Sequence, residues 1–145
     1  MTSSREQWYR TLFWISAVYD LALGIVFLFF FRTVFDWLGI ADTLPTQTSF
    51  ISLIAVFLFV IGVAYVLIAL GDLHQNKDLI TVGILYKLAY FSVALWYLID
   101  GLYPHIIFFW VFGVADFLFA LAMIECRVFL SRHAPGQVPS RGVSG

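Results

Sequence analysis

The sequence is poor in charged residues, which make up only 12% of its 145 residues. An average soluble domain is about a quarter charged and roughly half apolar. Here 62% of the residues are hydrophobic, 19% are aromatic, and the mean hydropathy is +0.94. A chain of this composition would precipitate from water unless lipid covered it, which excludes an ordinary soluble domain. Its length fits one compact bundle without a second domain.

Cysteine and the common catalytic motifs are also scarce. Cys126 is the only cysteine, so no intrachain disulfide can form. The sequence contains no HExxH, G-x-S-x-G or CxxC motif and no phosphate-binding glycine loop. His105 is expected at the outer end of the fourth span and His74 and His133 on the cytoplasmic side, so no inward pair brackets a haem and no three converge on a metal. We therefore predict no catalytic residue, no metal site and no nucleic-acid partner, and the sequence favours a protein that is not an enzyme.

Four long apolar segments make up most of the sequence. Each has about the 20 residues that a helix needs to cross a bilayer, and none shows the polar face of a soluble helix. The first segment is followed by large aromatic residues instead of a small-residue cleavage site, so it is not a signal peptide. We predict an all-α integral membrane four-helix bundle. Its spans are residues 11–31, 48–70, 79–99 and 103–126.

The distribution of basic residues orients this bundle. Four spans place both termini on one side of the membrane, and most lysine and arginine residues outside the spans fall there. They are Arg5, Arg10, Lys77, Arg127, Arg132 and Arg141, with Arg32 alone on the other side. By the positive-inside rule, both termini are expected in the cytoplasm.

The connections between the spans differ in length. Residues 32–47 mix apolar and polar side chains, which fits either a short helix on the outer surface or a partly apolar loop. Residues 70–78 and 100–105 form shorter turns. The bundle is expected to occupy residues 1–131. Residues 132–145 are rich in proline, glycine and serine and predict a disordered cytoplasmic tail.

The spans contain an internal similarity. GVAYVLIAL at 62–70 matches GVADFLFAL at 113–121, and YDLA at 19–22 matches YKLA at 86–89. The two offsets differ by the length of segment 32–47, so one loop insertion accounts for the difference. The sequence therefore predicts two pseudo-repeated helical hairpins, although short matches between greasy helices also arise by chance.

Three ionisable residues lie at one depth in the spans. Asp20 and Lys87 each follow a basic flanking residue by ten positions, and Asp116 precedes Arg127 by eleven. At 1.5 Å per residue, each lies about 15–17 Å into the bilayer, near its midplane. Charged groups facing lipid at that depth cost at least a few kcal/mol each. We therefore expect Asp20, Lys87 and Asp116 to face inward and contact one another.

Neighbouring residues support a common inward face. Small residues lie at helical spacing from the three charges and from Tyr65, which the repeat aligns with Asp116. They are Ser16, Ala17, Gly24, Gly62, Gly83 and Gly113. Tyr86 and Tyr90 are candidate hydroxyl partners of the network, as is Tyr19, although Tyr19 and Tyr86 are one residue off the inward face.

The predicted network has two interpretations. It could be structural and set the register between otherwise slippery helices. It could also be a site for a small ligand, a quinone headgroup or a proton. With all three groups ionised the network carries a charge of −1, so one aspartate could hold a proton or the three could titrate together. The sequence leaves these alternatives open.

The span pattern from about Trp8 to Leu130 resembles the DoxX-like group of small bacterial membrane proteins, which have four helices, cytoplasmic termini, glycine-marked helix contacts and short connections. The resemblance implies a bacterial inner (plasma) membrane location and an accessory subunit of a membrane complex working with quinones. No motif aligns, so no functional residue follows from it.

Three functions remain in view. The leading one is a non-catalytic accessory subunit, with other membrane subunits as partners, or a binder of a small hydrophobic molecule. The second is a small proton-coupled transporter whose aspartates change protonation. The third is a quinone-binding oxidoreductase component, with quinone as a cofactor near Tyr86, Lys87 and Tyr90.

Overall fold

We describe residues 4–133 in a computed structural model of the chain. This part of the chain is all helical and contains no strand. Four helices are long and apolar enough to cross a membrane, as expected of a multi-pass membrane protein. They are α1 (Ser4–Phe29), α3 (Ser49–Leu70), α4 (Lys77–Ile99) and α5 (Ile106–Arg132). The 22 residues of α3 span about 33 Å, slightly more than the hydrocarbon core of a bilayer.

The helices extend past the predicted spans at the terminal end of the bundle, by which we mean the end that carries the start of α1 and the end of α5. Apolar composition marks only the part of a helix that meets hydrocarbon, whereas helical backbone continues through flanking polar residues such as Arg5 and Arg127. Arg132 lies in α5, one residue past the predicted end of the bundle. Residues 134–145 of the predicted tail lie outside the described residues.

Helix α5 begins at Ile106, three residues later than the predicted fourth span. Pro104 disfavours helical backbone at the residue before it. The His105 side chain then caps the new helix by accepting a hydrogen bond from the Ile107 amide at 3.2 Å. The turn before it contains Gly101 at a φ of 67°, a left-handed conformation that glycine adopts without strain.

The long first connection forms a short helix, α2 (Phe31–Trp37), followed by a 3₁₀ turn at Ala41–Thr43. The sequence left open whether residues 32–47 form a short helix or a loop, and the structure forms a short helix in the first part of this segment. Phe35 of α2 is buried, and its ring centroid lies 5.6 Å from that of Phe108 in α5. Trp37 at the end of α2 is 81% exposed. Helix α2 therefore covers one end of the bundle with a single anchoring ring.

The bundle consists of two helix pairs. Helix α1 packs mainly against α3, and α4 packs mainly against α5. The first pair is close: a Cβ added to Gly62 would lie 2.7 Å from Leu21 Cγ and 2.9 Å from the Leu21 backbone nitrogen. Small residues allow this approach, as is common between membrane helices. Fewer contacts connect the two pairs to each other.

The interior has three layers along the helix axes. An apolar core fills the terminal half and includes Tyr9, Phe13, Ile68, Met123 and Cys126, all at most 1% exposed. Next comes a layer of charges from three helices. An apolar cavity occupies the opposite half. The six small residues predicted on the inward faces are all buried.

Candidate functional site

The charged layer is an ion cluster of Asp20, Lys87 and Asp116, hereafter the charged cluster. Lys87 Nζ donates to Asp20 Oδ1 and to Asp116 Oδ1, both at 2.7 Å. The three residues come from α1, α4 and α5 and are at most 1% exposed. These are short, charge-assisted hydrogen bonds. Since Asp116 and Lys87 share one helix pair, the bond from Lys87 to Asp20 is the one of these two that joins the two pairs.

Aromatic rings surround the lysine ammonium on its remaining sides. The distances from Lys87 Nζ to the ring centroids lie between 5.3 and 5.8 Å. The four rings are Tyr19, Tyr65, Tyr86 and Phe119. A desolvated cation over a ring face gains about 2 kcal/mol or more per ring in favourable geometry. The rings therefore replace part of the hydration that Lys87 loses.

Two tyrosine hydroxyls hold the aromatic rings in place. Tyr65 donates to the Gly83 carbonyl at 3.2 Å, one turn before Lys87. A Cβ on Gly83 would lie 2.7 Å from Tyr65 Cε1, so glycine is needed for this ring to approach α4. Tyr19 donates to the Val111 carbonyl in α5. Each tyrosine thereby links α4 or α5 to the other helix pair.

The Val111 carbonyl belongs to an irregular part of α5. Residues Trp110–Ala115 are π-helical, and α-helical geometry resumes at Asp116. A π-helical turn shifts the phase of the side chains that follow it, and such turns are frequent at functional sites. The irregularity immediately precedes the residue that contacts Lys87. It therefore contributes to the direction in which Asp116 enters the cluster.

Each carboxylate uses only one oxygen in the cluster. Asp20 Oδ2 and Asp116 Oδ2 are buried and have no hydrogen-bond partner among the described residues. Buried polar atoms are paired in the great majority of cases. These two oxygens are the natural places for a proton, since a protonated carboxyl neutralises the excess negative charge of the cluster.

An apolar cavity of about 590 Å³ lies in the half of the bundle opposite the terminal end. Both helix pairs, α2 and the turn before α5 contribute to its wall. Nearly half of its lining residues are aromatic: Phe27, Phe35, Tyr90, Tyr97, Tyr103, Phe108 and Phe112. Pockets for small molecules measure about 300–1,000 Å³ and are mostly apolar. Size and lining both fit a small hydrophobic ligand.

Two tyrosines connect the cavity to the charged cluster. Tyr90 lines the cavity, and its ring centroid lies 4.7 Å from that of Tyr86. The ring of Tyr86 is in turn one of the four that surround Lys87. A ligand in the cavity is thus separated from the cluster by two neighbouring phenol rings, whose planes are tilted by 42°.

The structure places all six sequence-predicted site residues in this region. Asp20, Lys87 and Asp116 bond directly, Tyr65 and Tyr86 border the ammonium, and Tyr90 lies between the cluster and the cavity. Tyr19 contacts the cluster through its ring, and its hydroxyl turns to α5 instead.

Sequence reasoning missed Phe119 and the cavity. Phe119 lies one turn after Asp116, so the spacing i, i+3 was the available signal. The cavity had no signal, because its walls come from all four long helices, α2 and the turn before α5.

The remaining titratable residues do not join this site. Among residues 4–133, no three histidine, cysteine, aspartate or glutamate side chains are placed to hold a metal ion. Cys126 is a buried part of the apolar core. Glu125 lies outside the cluster and accepts a hydrogen bond from Tyr9 at 3.1 Å.

Fold and site together define a class: a four-helix bundle of membrane-crossing helices with a buried ion cluster beside an apolar cavity. Comparisons of this chain with protein-family models, curated proteins and solved structures found no match.

Proposed function

We propose that this protein binds a small, mostly apolar molecule from the bilayer in its apolar cavity. The cavity itself carries the proposal, because its volume of about 590 Å³ and its aromatic, mostly apolar lining match the pockets that bind small molecules. It lies between the two helix pairs, where fewer contacts hold the helices together. A ligand can therefore enter sideways from lipid.

Tyr90 gives the cavity a polar end. A ligand with a carbonyl or hydroxyl group would direct that group toward Tyr90, which lies next to Tyr86 and the charged cluster. A quinone headgroup is one ligand of this kind. In this proposal the cluster orients the tyrosines and the protein binds its ligand without catalysing a reaction.

Two valines of α4 allow a matched test. Val93 lines the cavity and Val82 does not, and their exposed fractions are 57% and 50%. Val93→Trp should fill the cavity, whereas Val82→Trp should only add an indole to the outer surface. The probe is 1-hydroxypyrene, titrated by fluorescence against the full chain in lipid nanodiscs, with empty nanodiscs subtracted.

We expect saturable binding to the original chain and to Val82→Trp, and at least a tenfold loss in Val93→Trp. Equal binding by both tryptophan variants, with unchanged thermal stability, would show that the probe binds elsewhere and would refute the proposal. Mass spectrometry of molecules that co-purify with each variant in mild detergent would then identify the natural ligand.

Proton-coupled transport is a second candidate function. The observation that favours it is the pair of buried carboxylate oxygens without partners in Asp20 and Asp116. In such a carrier, Asp116→Asn should abolish pH-dependent substrate flux in proteoliposomes while leaving insertion unchanged. Flux that keeps its pH dependence in Asp116→Asn would exclude Asp116 as the proton carrier, and the absence of any flux through the original chain would argue for a binding protein alone.

The topology belongs to the same proposal. We place both termini in the cytoplasm and the protein in a bacterial inner membrane, on the bias of basic residues and on the resemblance to DoxX-like proteins. We also propose that α1–α3 and α4–α5 descend from one repeated hairpin. The matched positions Tyr65 and Asp116 both border Lys87, which supports this.

An accessory role in a larger membrane complex is compatible with this proposal. The exposed apolar surface of the four helices can meet lipid or other subunits alike. Purification from native membrane should then yield a complex of defined composition. A chain that elutes alone under mild conditions would count against the accessory role and leave the ligand site untouched.

A further inference from the structure

A groove of about 200 Å³ lies at the terminal end of the bundle, between the start of α1 and the end of α5. Its lining residues are Arg5, Glu125, Val128, Phe129, Arg132 and His133. We infer that this terminal groove binds the headgroup of a phospholipid that carries both a phosphate and a primary amine, as phosphatidylethanolamine does.

Two arginines supply the phosphate site. The guanidinium of Arg5 lies over the Phe129 ring, 5.5 Å from its centroid. A guanidinium held over a ring face can keep its N–H edge available, and that edge matches two oxygens of a phosphate. Arg132 lines the same groove from the last turn of α5. Within residues 4–133, neither arginine forms an ion pair.

Glu125 decides which phosphate headgroup fits. A purely anionic headgroup would meet this carboxylate beside the two arginines and be repelled by it. One of its oxygens accepts from Tyr9, which leaves the other to accept from a cation. A primary ammonium offers three N–H donors to such an oxygen, whereas the quaternary ammonium of choline offers none. The groove therefore matches a phosphate and a primary amine in one molecule.

The surroundings of the terminal groove point to a lipid and not to a soluble phosphoamine. Trp8 is exposed one turn from Arg5, at the position where tryptophan marks a membrane interface. On α5, Leu121, Ile124 and Val128 are exposed at spacings of three and four residues. They form an apolar stripe that leads from the groove toward the bilayer interior, along which acyl chains can lie.

Native mass spectrometry of the full chain tests this inference. The chain in mild detergent receives equal amounts of phosphatidylethanolamine, phosphatidylcholine and phosphatidylglycerol with identical acyl chains. We expect phosphatidylethanolamine to be retained about tenfold over the other two, the ratio that one charge-assisted hydrogen bond supplies. The variant R5Q/R132Q should lose this retention. R32Q is the matched control, because Arg32 also lies over a ring, that of Phe31, but outside the groove.

The variant E125Q separates the amine from the phosphate. Glutamine still accepts from Tyr9 but carries no charge, so phosphatidylglycerol should now be retained as well as phosphatidylethanolamine. Equal retention of all three lipids by the original chain would overturn the inference. So would a preference that survives in R5Q/R132Q or in E125Q. Displacement of the lipid by equimolar free phosphoethanolamine would assign the groove to a soluble molecule instead. Thermal melting of each variant confirms that it is folded.

Discussion

Replacing Lys87 by methionine should be the most damaging single change in the charged cluster. Among residues 4–133, Lys87 Nζ is the only cation within hydrogen-bonding distance of Asp20 and Asp116, at 2.7 Å from each. Methionine fills a similar volume but leaves two carboxyls without a counter-charge in a buried site. Removing one partner of a buried ion pair costs about 3–5 kcal/mol. We expect Lys87→Met to lose at least that much free energy of unfolding.

Substitutions of the aspartates should be milder. With both carboxylates ionised the cluster carries a charge of −1, and Asp20→Asn or Asp116→Asn reduces this to a neutral pair. The asparagine oxygen can still accept from Lys87. The loss should therefore be about 1–2 kcal/mol, the part of a charge-assisted hydrogen bond that depends on charge. Asp20→Asn should loosen the contact between the helix pairs, because Asp20 accepts the hydrogen bond that ties Lys87 of α4 to α1.

An apolar replacement of the whole cluster provides the compensated control. Buried ionic groups replaced together by apolar residues of similar volume are often neutral or stabilising. The triple variant Asp20→Leu, Lys87→Met, Asp116→Leu should therefore be more stable than Lys87→Met alone, and Lys87→Met with Asp20→Leu should fall between them. Measuring probe binding by the same variants shows whether a loss of binding accompanies a loss of stability.

Unfolding in mixed micelles with increasing dodecyl sulfate, followed by circular dichroism, measures these differences. The expected order of stability runs from the original chain through the asparagine variants to Lys87→Met. The reasoning fails if Lys87→Met matches the original chain, or if either asparagine variant is less stable than Lys87→Met. In that case the carboxyls do not depend on the lysine for their burial.

Two further changes test the packing around the site. Gly62→Ala should destabilise the protein by about 1–3 kcal/mol, because the new methyl group would lie 2.9 Å from the Leu21 backbone nitrogen. Val63→Ala, at the exposed neighbouring position, is the control in the same unfolding assay. Equal effects of the two substitutions would contradict the close approach of α1 and α3. Tyr19→Phe should cost about 1–3 kcal/mol by leaving the Val111 carbonyl of the π-helical segment without its side-chain donor, and hydrogen exchange should rise over Trp110–Ala115. Unchanged exchange there would mean that Tyr19 does not hold this segment.

The three layers of the interior place the charged cluster between the apolar core and the cavity. The apolar core holds the terminal half of the bundle, so the charged cluster does not have to hold the helices there. At the other end, a cavity lies between the two helix pairs. The cluster lies between the apolar core and the cavity, so a change in Asp20 should affect binding at the proposed ligand site as well as stability.

Periodicity and depth predicted much of this arrangement. The four long helices follow directly from the apolar segments of the sequence, because a segment that crosses lipid has to satisfy its backbone hydrogen bonds internally, as a helix does. The contact of Asp20, Lys87 and Asp116 followed from their equal depth, since an unpaired charge at the midplane is costly. Small residues such as Gly62 and Gly83 indicated the inward faces of the helices, because small side chains are what allow neighbouring helices to approach closely.

Other features depend on several segments at once and could be decided only by the tertiary structure. The cavity exists because side chains from both helix pairs, α2 and the turn at 100–105 fail to fill one space, and no local pattern encodes an unfilled volume. The π-helical turn before Asp116 changes the phase of α5, so Asp116 and Phe119 reach Lys87 from directions that an ideal 3.6-residue period does not give. The sequence by itself determined which residues must leave the lipid. The packing of the two helix pairs decided what those residues surround.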